Sequence, residues 1–409
     1  MNAEIITIGT ELLLGETVDT NSAYIARALR DIGLDLYYQT TVGDNKERVA
    51  AVITAALERA QVIITTGGLG PTEDDVTREA AAAATGRELE FRPDLFDQIH
   101  ARYQRWGTKM APTNRQQAFV PAGSIALENP VGTAPCFIVE TERGVIISLP
   151  GVPREMEYML QQRVLPYLKA KLGAPAVILS RILRTAGVGE SQIDATIRDL
   201  ERGSNPTVGL AAHAGQTDIR VTAKAATIQE AEAMIEPLVR EIRRRLGVSI
   251  YGEGQESVEE ILVRMLQQRN LTLALIEVAT GGLAGDRLSA LPAAEKCVRR
   301  LVSSSTWENS ATSQDITRAD LERAGSLEDR ARLLADHMRS NSDTDLALAV
   351  LIEKADQGKL SLAVAIASQG RSEAWARGYG GPPEYAQRWA TTYGFDELRR
   401  WLLRTETDC

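Results

Sequence analysis

Short β-branched runs alternate with stretches of helical periodicity along the first 170 positions. The run Ile5-Ile6-Thr7-Ile8 reads as a strand and stops at Gly9. From Asn21 to Ile32, Tyr24, Ile25, Ala28, Leu29 and Ile32 recur on one helical face, and Gly33 ends the repeat. Leu34–Val42 predicts a strand and Glu47–Ala60 a helix. Val62-Ile63-Ile64 predicts a buried strand running into Thr65-Thr66-Gly67-Gly68, and Asp74–Ala84 a helix closed by Gly86. Strand and helix in this rhythm predict a doubly wound α/β domain over 1–170, with a largely parallel sheet. From 171 to 252 the rhythm changes. A strand (Val177–Arg184), a helix (Ser191–Leu200), two strands (Thr207–Ala212, Asp218–Ala225), a helix (Ile228–Leu246) and a strand (Val248–Tyr251) give the β-α-β-β-α-β order of a small α+β domain. Gly252-Glu253-Gly254-Gln255 reads as a linker. A third α/β unit, 256–409, opens with a helix (Val258–Gln268) and a strand (Leu271–Ile276). It turns at Gly281-Gly282, carries a buried strand at Leu346–Ile352 and ends in an amphipathic stretch, Glu384–Leu403.

Composition narrows the function classes. With 44% hydrophobic and 25% charged residues the chain is an ordinary globular one, and 409 residues predict two or three domains. The net charge of -9, with no basic stripe, argues against nucleic acid as a partner. Cys136, Cys297 and Cys409 form no Cys-x-x-Cys pair, and His100, His213 and His337 show no ligand spacing, which argues against both a disulfide framework and a zinc site. The first residues have neither a basic leader nor a long apolar run, and no stretch reaches membrane-spanning length. A cytoplasmic protein without a membrane partner is expected.

Three loops that follow strands hold the candidate chemistry. The longest runs from Thr66 through Gly67-Gly68-Leu69-Gly70-Pro71-Thr72-Glu73-Asp74-Asp75 to Thr77. Its glycines let backbone N–H groups approach a phosphate, and the following helix adds partial positive charge. Asp74 and Asp75 beside such a pocket are candidates to hold a divalent metal ion and to orient water. Two plainer roles stand beside this one: Thr72 and Asp75 have the spacing of a capping box, and Asp74 complements a helix dipole. The second loop holds Thr10, Glu11 and Asn21, and the third holds Pro150 and Gly151. Each alone reads as a turn. Gathered at the carboxyl ends of parallel strands they make one pocket.

Taken together, the stretches Ile8–Asn21, Gly43-Asp44, Gly67–Thr77 and Leu149–Met156 resemble the N-terminal domain of the CinA family, which is similar to the molybdopterin-binding fold of MoaB and MogA. The resemblance implies a nucleotide-like ligand such as ADP-ribose, metal-dependent pyrophosphatase activity and a homodimer. A nucleotide- or pterin-binding module without catalysis is the alternative. The middle domain resembles the KH-like domain of the same family but has no Gly-x-x-Gly clamp, which makes it a spacer or assembly element. The third domain is similar to a nicotinamide-nucleotide amidase whose pattern is Glu-Ser-Cys-Thr-Gly-Gly, then Thr-Tyr-Ser-Asn-Glu-Ala-Lys, then Gly-x-Ala-Gly-Pro. Here the first stretch is Glu277-Val278-Ala279-Thr280-Gly281-Gly282 and the second is Thr306-Trp307-Glu308-Asn309-Ser310-Ala311-Thr312. The third falls within Val350–Asp356. Val278, Trp307 and Thr312 stand where the family has its nucleophilic Ser and the assisting Tyr and Lys. Loss of amidase activity is therefore expected, and a retained nicotinamide mononucleotide deamidase is the competing possibility.

Overall fold

The computed structural model describes residues 1–173, 177–354 and 359–406, which fall into two compact units: Met1–Leu179 with Lys224–Ala231, and Ser180–Ala223 with Glu232–Cys409. Among the described residues no helix is long and apolar enough to cross a membrane.

The first unit is built on a six-stranded sheet. Its strands are β1 (Asn2–Ile8), β2 (Asp35–Val42), β3 (Val62–Thr66), β6 (Ile125–Leu127), β7 (Cys136–Glu140) and β8 (Val145–Leu149), in the order β2-β1-β3-β8-β7-β6. A separate two-stranded ribbon joins β4 (Leu89–Phe91) to β5 (Phe119–Pro121). Pairs β1–β2, β1–β3 and β3–β8 are parallel, whereas β7 and β6 add on antiparallel, so the sheet is mixed, with its parallel part in the half that carries the glycine loops. Both faces are covered. Ile5, Ile64 and Ile147 pack against helices Thr20–Asp31 and Pro153–Met159, while Ile6, Ile63 and Ile146 pack against Lys46–Leu57 and Thr77–Thr85. Burial on both faces accounts for strands that read as unbroken apolar runs. Two helix starts are set by short polar side chains: Asp19 accepts from the Ser22 amide at 2.9 Å, and Asn45 from the Arg48 amide at 3.0 Å. The helix expected from Asp74 begins instead at Thr77, because Asp75 is drawn back into the preceding loop.

Mostly within the second unit, with residues 177–179 and Lys224–Ala231 counted in the first, β9 (Val177–Ala186), β10 (Thr207–His213), β11 (Gln216–Ala225) and β12 (Ile250–Glu253) form a sheet in the order β10-β11-β9-β12, with helices Glu190–Ile197 and Ile228–Leu246 in the expected places. A five-stranded sheet follows: β13 (Leu273–Val278), β14 (Val298–Ser304), β15 (Leu346–Lys354), β16 (Leu360–Ser368) and β17 (Arg371–Tyr379), ordered β14-β13-β15-β16-β17. β14, β13 and β15 are parallel, and β16 and β17 are antiparallel additions. Helix Val258–Gln268 starts on a complete capping box, Ser257 with Glu260. The last helix, Ala386–Glu406, packs Phe395, Leu398 and Leu402 into the core. Trp401 is buried in that core, and Trp375 and Trp389 pack against it.

Candidate functional site

The three loops converge because β1, β3 and β8 run parallel and end in register, with Thr7 opposite Thr66 and Thr66 opposite Leu149. Gly67 makes the approach possible. Its φ is 108°, and a Cβ there would lie 2.1 Å from the carbonyl oxygen of Ile8. On the other side, a Cβ on Gly151 would lie 3.3 Å from the Cα of Gly67, so the loops after β3 and β8 are in direct contact. Asn21 ties them together. Its Nδ2 donates to Thr66 Oγ1 at 3.1 Å and to the Gly151 carbonyl at 2.8 Å, and Thr66 Oγ1 donates to the Pro150 carbonyl at 2.8 Å. The Oδ1 of Asn21 is buried and has no hydrogen-bond partner.

Around this centre the other expected residues divide into two groups. Thr10 is held by the turn after β2: its amide and hydroxyl donate to Asp44 Oδ2 at 2.7 and 2.8 Å. Glu11 is exposed, with its carboxylate folded over Gly9. Gly70, Thr72 and Asp75 form the second group. Asp75 Oδ1 accepts from the Gly70 amide at 2.8 Å, and Oδ2 accepts from the Thr72 amide at 2.8 Å and the Thr72 hydroxyl at 2.5 Å. Asp75 thus shapes the loop and does not cap the helix, whose first residue, Thr77, bonds back through its amide to the Gly68 carbonyl and through its hydroxyl to the Gly67 carbonyl. Gly68 sits in the left-handed region at φ 64° against Thr77.

The chief residue the sequence reading missed is Arg78. It is buried under the glycine loop and donates to the carbonyls of Leu69 at 2.7 Å and Gly70 at 2.9 Å, with a longer bond to that of Asp75. Burial lowers the pKa of its guanidinium, against the opposing charges of Glu79 and Asp75. Its signal was available: a lone arginine on the alanine face of a helix that adjoins a glycine loop. Gln116 and Gln117 brace the same loop through the carbonyls of Thr72 and Leu69. Beyond Gly151, burial pushes the Glu155 carboxyl up, opposed by the Asn129 amide that donates to it at 2.6 Å and by the charge of Arg102.

Asp74 and Asp75 differ sharply in what they can still bind. Three hydrogen bonds already occupy the Asp75 carboxylate, and Asp74 is exposed. Among the described residues no group of three or more His, Cys, Asp or Glu side chains is placed to hold a metal ion. The protein alone therefore offers no ready-made cage at this loop, and a hard cation here would need oxygens from the ligand.

A second candidate site lies in the third domain, where a cavity of 500 Å³ opens beside the end of β13. Val278, Trp307, Leu327, Leu351 and Ile352 line much of it, with Glu308, Glu353 and Lys354 at the polar side. Arg330 spans its edge, 4.8 Å above the Trp307 ring and bonded to Glu353 at 2.5 Å. The scaffold around Val278 is intact. Glu277 is buried, accepts from the amides of Ala284 at 3.0 Å and Gly285 at 2.9 Å, and also takes the Thr280 hydroxyl. Ala279 holds φ at 58°, a costly setting for a residue with a Cβ. Thr280 and Ser310 are both fully buried; Ser310 pairs with Ser304, and the Thr312 hydroxyl donates to the Glu308 carbonyl at 2.9 Å. Of the third motif stretch, Ala355 and Asp356 lie outside the described residues.

Comparison with known proteins finds three matching segments. Three family models match: a probable molybdopterin binding domain at residues 4–170, the damage-inducible protein CinA KH domain at 180–252, and the CinA C-terminal domain at 255–402. A CinA-like protein from Dictyoglomus thermophilum is 38% identical over 350 residues, 85% of each chain. A protein from Alkaliphilus oremlandii, named for competence-damage induction, is 36% identical over 411 residues, 98% of this chain and 99% of its own. Among solved structures, the protein CinA of unknown function from Thermoplasma acidophilum is 35% identical and covers 41% of this chain and 97% of its own, with a TM-score of 0.38.

Proposed function

This chain belongs to the CinA family, and on that premise we propose that its first domain binds and hydrolyses a pyrophosphate-bearing nucleotide of the ADP-ribose class at the converging strand ends. The observation that carries the proposal is Asn21. It clamps the loops after β3 and β8 through its amide nitrogen and leaves its buried Oδ1 without a donor. A ribose hydroxyl that reaches it as the loops part satisfies such an acceptor, and since the amides of Gly67 and Gly70 are already given to the Leu149 carbonyl and Asp75, the stretch between them is what meets the phosphates. A divalent ion enters this reading on the phosphate oxygens of the ligand, with Asp74 as the carboxylate free to meet it. Asp75 keeps the loop in shape.

The two aspartates separate the roles. With purified full-length protein, ADP-ribose and a panel of divalent ions, product analysis is expected to show AMP and ribose 5-phosphate. Asp74→Asn should lower turnover by about a hundredfold or more without changing the melting temperature. Asp75→Asn should weaken ligand binding and lower the melting temperature together, because three hydrogen bonds hold the loop to that carboxylate. Wild-type turnover in Asp74→Asn would overturn the assignment. A second reading, binding without catalysis, is favoured by the commitment of Asp75 to the loop; it predicts a calorimetric signal with no AMP formed.

For the third domain, the reading is a cavity that has lost the deamidation of nicotinamide mononucleotide, since no hydroxyl stands at position 278 and Thr280 and Ser310 are buried and already bonded. The homodimer implied by the family resemblance completes the proposal. Sedimentation of the full chain is expected to give twice the monomer mass, and a clean monomer at micromolar concentration would contradict it.

A further inference from the structure

A second groove in the same unit, of 730 Å³, belongs to neither site above. One wall is the turn of the β10–β11 hairpin at Ala212–Gly215. The other is formed by the end of β17, the turn Gly378–Pro382 and the start of the last helix. Both walls are fixed. Gly215 abuts Trp389 and Thr392, and Arg400 donates to the Ala186 carbonyl at 2.8 Å while bonded through Nε to the buried Asp396. On the hairpin, Asp218 Oδ2 lies 3.2 Å from His213 Nε2 and accepts from Arg184 at 2.7 Å, which orients the imidazole.

What the groove presents is cationic and aromatic together. The guanidinium carbon of Arg377 lies 4.5 Å from the Trp389 ring centroid and 5.2 Å from that of Tyr393. Trp389 is itself packed against Tyr379 and Tyr393, with centroids 5.9 and 5.2 Å apart. Arg377 thus lies close to a block of rings. Arg388 and His213 line the same groove, and among the described residues neither Arg377 nor Arg388 is ion-paired with a carboxylate. The acidic groups nearby are few: Glu384 acts on Tyr379, Glu397 is hydrogen-bonded to the Tyr393 side chain, Glu190 lines an adjoining recess, and Asp218 is shared between Arg184 and His213. A guanidinium set over aromatic rings, hydrogen-bonded to the Tyr393 side chain but with no carboxylate partner among the described residues, keeps N–H donors for a phosphate or carboxylate and is suited to stacking. The turn Gly378–Gly381 lines the same space.

We propose that this groove is a binding site for a phosphomonoester carried on a planar ring, the class of a nucleoside monophosphate, with Arg377 and Arg388 holding the phosphate and the ring stacking over Arg377. It is independent of the first-domain reading and stands or falls separately. The test uses the full-length chain, with AMP, adenosine and inorganic phosphate as probes, followed by calorimetry and tryptophan fluorescence. AMP is expected to bind and to change the fluorescence, with adenosine and phosphate each weaker by about tenfold or more. Arg388→Gln, on an exposed side chain, should keep the melting temperature and weaken AMP by about tenfold. Trp389→Phe should remove the fluorescence change while heat is still released. Asn21→Ala, in the first domain, should leave this AMP binding unchanged. Equal affinity for AMP and adenosine, an unchanged AMP affinity in both Arg388→Gln and Arg377→Gln, or loss of AMP binding in Asn21→Ala would each overturn the proposal.

Discussion

Arg78 shows how a single residue sets the shape of the first-domain loop. Its side chain is buried, its guanidinium spans two successive carbonyls of the glycine loop, and its Nε is left without a partner. Arg78→Met keeps the length of the side chain and removes every donor. The Leu69 carbonyl then keeps only the longer bond from Gln117 and the part-buried Gly70 carbonyl loses its bond from Arg78, at roughly 1–3 kcal/mol for the unmade bond, and the first unit should melt at a lower temperature by a corresponding amount. ADP-ribose binding should weaken with it, because Gly67 to Gly70 are no longer held. A variant that melts and binds like the wild type would mean that Arg78 is a passenger. Glycine and aspartate positions were legible in the sequence because turns demand them. The partners they use were not. Nothing in the spacing of Thr72 and Asp75 tells whether the carboxylate faces forward to a helix amide or backward to Gly70, since both satisfy the same local geometry.

Elements carry the next layer. The alternating pattern placed β1, β2 and β3 and both capped helices of the first domain within a few residues, because buried parallel strands and amphipathic helices leave strong periodicities. The antiparallel additions β6 and β7 were not legible, since β6 is only three residues long and carries no clear alternation. In the third domain, the turn from β13 into helix Leu283–Ser289 is preserved by Glu277, whose carboxylate takes two helix amides and the Thr280 hydroxyl. This accounts for Glu277, Thr280, Gly281 and Gly282, which build the turn, whereas Val278 and Trp307 line the cavity beside it. Purified protein is therefore expected to release no ammonia from nicotinamide mononucleotide above background. Restoring Val278→Ser, Trp307→Tyr and Thr312→Lys together should rescue little, because Arg330 and Glu353 bridge the cavity edge. Robust turnover in the wild type, lost on mutating Thr280 or Ser310, would contradict this.

At the scale of the whole molecule, the family pattern extends over almost the full chain, while the residues able to do chemistry are unevenly distributed. The first domain keeps a glycine loop, a convergent set of strand ends and an unsatisfied acceptor. The third keeps a cavity without the expected nucleophile at position 278. The proposed function therefore rests on the first domain, with Asn21 at its centre. The most direct measurement is calorimetry of ADP-ribose with the full-length protein and its Asn21→Ala variant, in the presence of a divalent ion. The account predicts saturable binding by the wild type, and an affinity lower by about tenfold or more in the variant, which gives up both the clamp on the Gly151 carbonyl and the free Oδ1. Equal affinities, or no binding by the wild type, would contradict it.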